Sequence, residues 1–132
     1  MKVNVFLNRK YVKNKYVGEC IQDYKNRCNR YVNISLLYDL NSSLISREDS
    51  YNINVCNSGK YVDSVEFSDI FKYCFINRFK NVNVFFNCDY KCNRDDICFF
   101  GTNIEYSGFL YCMVLEQIYR AYKIINGEPY HK

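Results

Sequence analysis

The chain has 132 residues, 48% of them hydrophobic and 24% charged, with 18 Lys and Arg against 14 Asp and Glu for a net charge of +4. That size suits one domain with one core, and that balance excludes the low-hydrophobicity, high-charge compositions of disordered chains. No run approaches the roughly 18 consecutive apolar residues of a membrane span and no cleavable signal is visible, so the expectation is no membrane insertion and an intracellular setting: host cytoplasm, nucleus or virion interior.

Residue usage is skewed: 17 Asn, 14 Tyr, 11 Lys, 11 Ile and 10 Phe stand against one Ala, one Pro and no Trp. The favoured residues have AT-rich codons, and a short reading frame in an AT-rich genome suggests a virus. Charge is uneven, because residues 1–30 carry eight Lys or Arg and only two acids.

In chain order, Val3 to Leu7 is a short apolar run that reads as a strand. Cys20, Ile21, Tyr24 and Cys28 follow at helical spacing. Val32, Ile34, Leu36, Tyr38 and Leu40 alternate without a miss, the period of a half-buried strand, and Tyr51, Ile53 and Val55 repeat that pattern. Asn57-Ser58-Gly59 then offers a tight turn, so residues 51–67 read as a hairpin. Ser68 is placed as the cap of a helix through Ile70, Phe71, Cys74, Phe75 and Phe79. Val82 to Phe86 and Ile97 to Phe100 are further strands. The strongest element is the last: Tyr111, Leu115, Ile118, Tyr122 and Ile125 form one apolar stripe, with Ser107 as cap and Asn126-Gly127 before Pro129 as the stop. An internal echo links VNVFLNRKYVKNK at 3–15 with VNVFFNCDYKCNR at 82–94, which a duplicated unit or the biased composition alone would produce. Together these elements predict a single α+β domain over 1–132, a mainly antiparallel sheet with two or three helices on one face and an amphipathic C-terminal helix.

Catalytic signals are missing. The single histidine, His131, is penultimate, which argues against a histidine-activated nucleophile, and no glycine loop has phosphate-cradling spacing. Asp95-Asp96 and Glu48-Asp49 read as solvated loop charge, and a hydrolase built on scattered carboxylates has no positive sign. Among eight cysteines, Cys74 and Cys98 sit in apolar runs and read as core, whereas Cys28, Cys56, Cys88 and Cys92 have polar neighbours. Cys88, Cys92, Cys98 and Cys112 could close a structural zinc site, since the first pair has metal spacing at its loose end. Reduced thiols and disulfides are the alternatives.

The basic stretch interleaves cations and aromatics: Arg9, Lys10, Tyr11, Lys13, Lys15 and Tyr16, then Lys25, Arg27 and Arg30. Phosphates attract such clusters and exposed tyrosine stacks on bases, although a solvated face would look the same. The sequence therefore predicts a non-enzymatic, virus-encoded accessory or structural protein working through a protein partner or self-association. The alternative is a nucleic-acid-binding module using the basic quarter, with structural zinc as a possible stabiliser.

Overall fold

A computed structural model describes residues 1–99 and 108–129. In chain order these form β1 (Lys2–Phe6), a 3-10 turn (Arg9–Tyr11), α1 (Lys15–Cys28), β2 (Asn33–Leu37), α2 (Ser42–Ile45), β3 (Ser50–Tyr61), α3 (Ser64–Ile76), β4 (Asn81–Phe86), β5 (Asp95–Cys98) and α4 (Gly108–Ile125). The strands make one five-stranded sheet in the order β2-β1-β4-β3-β5, and every neighbouring pair is parallel. The predicted antiparallel α+β arrangement is therefore wrong, and the fold is α/β.

The helices follow from this topology. The steps β1 to β2 and β3 to β4 run the same way along the sheet, so right-handed crossovers put α1 and α3 on one face. The step β2 to β3 runs the other way and puts α2 on the opposite face. The core agrees. Val3, Val5, Ile53, Val55, Val82 and Val84 pack with residues of α1, α3 and α4, while Phe6 and Phe85 pack with Ile45 of α2 in a separate cluster.

The second face explains the misreading. Asn4, Asn52, Asn54 and Asn83 alternate with the valines and isoleucines, yet all four are buried. Asn4 pairs with Asn83 and Asn52 with Asn83 in the parallel register, so three central strands set their amides side by side. Asn4 Nδ2 donates to Asn83 Oδ1 at 3.0 Å, and Asn83 Nδ2 donates to Asn52 Oδ1 at 3.0 Å. Asn52 Nδ2 ends the row on the carbonyls of Ile45 and Asn93, at 2.9 and 3.1 Å. A polar-apolar alternation normally marks a solvated sheet face, but here the polar half bonds to itself under a one-turn helix and a loop.

Two local predictions are also corrected. Asn57-Ser58-Gly59 is not a hairpin turn: β3 runs through it, and its register with β5 breaks between Val55 and Lys60. A Cβ at Gly59 would stand 2.5 Å from the Ile97 backbone, so glycine is there for close approach within a bulge. Ser68 does not cap α3. Asp63 does, in a reciprocal capping box with Glu66, and Ser68 lies buried one turn inside. The echoing segments 3–15 and 82–94 begin on adjacent strands, with Val3, Asn4 and Val5 opposite Val82, Asn83 and Val84. Ser107, Phe100 and His131 lie outside the described residues.

Candidate functional site

Ligands of open α/β sheets bind beyond the carboxyl ends of the strands, so that edge is the candidate site. At the end of β1, the Asn8 amide donates to the Tyr111 hydroxyl at 2.9 Å, fixing this turn to α4. The Asn8 side chain caps the 3-10 turn through Lys10 N–H at 3.0 Å, and Asn14 caps α1 through the amides of Tyr16 and Val17. These two caps turn Arg9, Lys10, Lys13 and Lys15 to solvent on one short arc, beside a Tyr16 that is 76% exposed. The Arg9 guanidinium lies 4.3 Å from the centre of the Tyr38 ring, and Lys10 lies over Tyr11 at 5.7 Å.

The predicted basic set is divided by the fold. Lys25, Arg27 and Arg30 lie around the far end of α1, about 15 Å or more along the helix from Lys15. Arg27 pairs with Asp23 at 3.1 Å and covers Tyr24, and Arg30 covers Tyr31. Only the 9–16 cluster borders the carboxyl edge.

Further along that edge, a cavity of about 390 Å³ is lined by Tyr61, Asp63, Ser64, Phe99, Gln117 and Arg120, among others. Its polar wall is internally ordered. Ser64 Oγ donates to Gln117 Oε1 at 3.0 Å, Arg120 donates to Ser64 Oγ at 3.3 Å and to Glu116 at 3.0 Å, and Gln117 donates to Glu116 at 3.1 Å. Sequence reasoning missed this wall. Its only local traces are the Asp63/Glu66 capping spacing and the Glu116/Arg120 pair at i,i+4, which are common in any helix.

Beside the edge, Cys88 N–H donates to Asn54 Oδ1 at 3.1 Å, and the Asn54 amide donates to Asp96 at 3.0 Å. That amide, followed by the Arg94 guanidinium, holds the Asp96 carboxyl below the usual range. Asn87 supplies the left-handed residue after β4, with φ 46°.

The four cysteines predicted to bind zinc are not gathered together. Cys88 and Cys92 pack beside Phe6, Ile45 and Phe85 on the amide face. Cys98 donates to the Gly59 carbonyl at 3.2 Å, and Cys112 lies on the other face, directed at the Val17 carbonyl at 3.8 Å. Cys112 is buried against α1. Cys28, read as polar-flanked, is fully buried, with its thiol 3.8 Å from the Leu115 carbonyl. Among the described residues no group of three His, Cys, Asp or Glu is placed to hold a metal ion, and no helix is long and apolar enough to cross a membrane.

No family model matches the chain. It is 28% identical over 121 residues to the ribosomal RNA large subunit methyltransferase H 1 of Thermoanaerobacter sp., with 89% of this chain and 90% of that protein covered. It is 31% identical over 152 aligned residues to the ribosomal RNA large subunit methyltransferase H of a Clostridium botulinum strain, with 92% of this chain and 94% of that protein covered. The chain belongs to the ribosomal RNA large subunit methyltransferase H family. The expected non-enzymatic accessory protein is thereby corrected, since the named methyltransferase H relatives are enzymes, and their bacterial sources leave the viral setting unsupported. The Clostridium alignment spans 152 positions, more than the 132 residues of this chain, so that methyltransferase H protein carries residues without a counterpart here.

Proposed function

We propose that this chain transfers a methyl group from S-adenosylmethionine to large-subunit ribosomal RNA at the carboxyl edge of its sheet. The observation that carries this reading is the exposed Arg9, Lys10, Lys13 and Lys15 arc with Tyr16 on that edge, in a chain whose named relatives methylate ribosomal RNA.

The edge cavity fits the methyl donor in chemistry and size. Its volume of about 390 Å³ falls in the range of small-ligand sites. Tyr61 and Phe99 line it, and aromatic rings suit both an adenine and a sulfonium cation. Asp63 lines it with a negative charge and Arg120 with a positive one already paired to Glu116, and Ser64 and Gln117 offer hydroxyl and amide groups for the edge of a base or a ribose. When bound, the donor supplies a methyl group already activated by its positive sulfur.

The chain's own residues do the rest. Arg9, Lys10, Lys13 and Lys15 neutralise phosphates along a single strand, and Tyr16 stacks on an unpaired base. The Asn8 and Asn14 caps hold these cations in one arc, so substrate enters with its orientation fixed. The Ser64, Gln117 and Arg120 network keeps the cavity wall in place.

Methyl incorporation from labelled S-adenosylmethionine into large-subunit RNA tests this, alone and in assembled subunits. Wild type should label the RNA, and Lys10→Glu/Lys13→Glu/Lys15→Glu should weaken RNA binding while flattening its salt dependence by about 0.7 of log-log slope per lost contact. No labelling of either substrate, or an unchanged salt slope in the triple variant, would refute the assignment.

A further inference from the structure

The sheet has a notch on its open side that the proposed reaction does not use. β5 pairs with β3 only from Ile53 onward, so Ser50, Tyr51 and Asn52 have no strand beside them there. The gap is a cavity of about 550 Å³, within the range of small-ligand sites, and it shares no lining residue with the cavity at the carboxyl edge. Its walls are fixed by contacts within the chain. The Tyr51 ring lies 5.9 Å from Tyr73 and 5.5 Å from Phe79, centre to centre, and Tyr73 is 52% exposed. The Tyr51 hydroxyl donates to Asp95, and the Asn93 carbonyl accepts from Asn52 at 3.1 Å, which ties the 90–94 loop to β3. Among the cations lining the notch, Arg47 is held by Asp49 through two bonds of 2.9 Å, and Arg94 by Asp96 at 2.9 Å. Lys91 lines it too, is exposed, and has no ion pair among the described residues.

We propose that this notch binds one guanine nucleotide, with the base stacked on Tyr73, its pairing edge on Asp95 and its phosphate on Lys91. An exposed ring accepts the flat face of any base, so stacking alone does not select. The carboxylate does. Guanine is the one RNA base that sets a ring N–H beside an amino group on its pairing edge, two donors for an acceptor-only group. Adenine and cytosine turn a ring acceptor to the same place, and uracil flanks its single N–H with carbonyls. Asp95 keeps acceptor capacity after the Tyr51 bond, because a carboxylate has about four lone-pair sites. Lys91 supplies the compact charge that a phosphate takes. A free guanine nucleotide and an unpaired guanosine within RNA share this chemistry.

The test titrates the full chain with 5′-GMP, AMP, CMP and UMP by calorimetry, with and without S-adenosylmethionine, and then with a short unpaired oligoribonucleotide carrying a single guanosine. GMP should bind saturably and about tenfold or more tighter than the other three, unaffected by S-adenosylmethionine. Lys91→Glu, at an exposed loop position, should melt as wild type and bind GMP more weakly while binding guanosine unchanged. Asp95→Asn should erase the preference for guanine, and Tyr73→Ala should weaken all binding. An oligonucleotide tighter than GMP supports the site with RNA as its source, and one equal or weaker supports it with a free nucleotide. No saturable GMP binding, equal affinity for the four bases, competition by S-adenosylmethionine, or wild-type GMP affinity in Lys91→Glu would each overturn the proposal. Methyl labelling of RNA through the edge cavity is read separately and stands or falls apart from these outcomes.

Discussion

Replacing Asn83 by Ala probes the feature that most distinguishes this sheet. Asn83 is fully buried, accepts from Asn4 Nδ2 and donates to Asn52 Oδ1, both at 3.0 Å. Truncation leaves Asn4 with Asn81 Oδ1 at 3.1 Å, but it removes the donor from a buried Asn52 oxygen. An orphaned buried acceptor costs about 1–3 kcal/mol, and the void adds roughly another 1. The expected loss is about 2–4 kcal/mol, read from the urea midpoint at unchanged m-value, or a fall in Tm of about 6–15 °C. Asn4→Ala should cost a similar amount, and the double variant should cost less than the two together, because each breaks the same bond. The damage should spread to α2 and residues 87–94, whose carbonyls are held by Asn52, as faster amide exchange there. A single-variant cost below about 0.5 kcal/mol, or strict additivity, would refute the amide row as a source of stability.

Other perturbations have defined outcomes. The Tyr122 hydroxyl is buried with no hydrogen-bond partner among the described residues, so Tyr122→Phe should be neutral or stabilise by up to about 1 kcal/mol in chemical denaturation. Gly108→Ala would put a Cβ 2.2 Å from the Tyr11 carbonyl oxygen, and should lower stability by about 1–3 kcal/mol as α4 is pushed off the Arg9–Tyr11 turn. Glu128 accepts from the Tyr31 hydroxyl at 2.6 Å and from Lys123 at 2.9 Å, contacts that hold its carboxyl below its ordinary value of 4.5. A depressed carboxyl contributes stability above its ordinary value and loses it as pH falls through the folded value. The Tm gap between wild type and Glu128→Gln should therefore be open at pH 6 and narrow as pH falls below 4.5.

Element positions were legible where local chemistry decides them. The stripe from Tyr111 to Ile125 and the runs at 3–7 and 82–86 coincide with α4, β1 and β4, because burial against one neighbour leaves a periodic trace. Strand direction was not legible. Val-Asn-Val reads as one dry and one wet face, and only the pairing of Asn4, Asn83 and Asn52 across strands shows that both faces are dry. The turn residues 57–59 carried the wrong message for a similar reason: glycine serves a turn or a close approach, and the neighbour that decides, Ile97, is distant in sequence. Of the site, the cations at 9–15 were visible as composition. Their separation from Lys25, Arg27 and Arg30 required the length of α1, and the cavity wall required α3 and α4 to meet.

The central place of β4 also bears on how the chain acquires its fold. β1 and β3 are neighbours only through β4, so the sheet stays in two unjoined parts until residues 81–86 have been made. With synthesis at about 5–20 residues per second, the first half of the protein spends several seconds with β1 lacking one of its two partners. Its pairing with β4 spans nearly eighty residues, a long-range closure that slows folding. During that interval the Asn4 amide has no mate. A polar residue at that position keeps the waiting edge hydrated, where an apolar one would offer a sticky strand to other nascent chains.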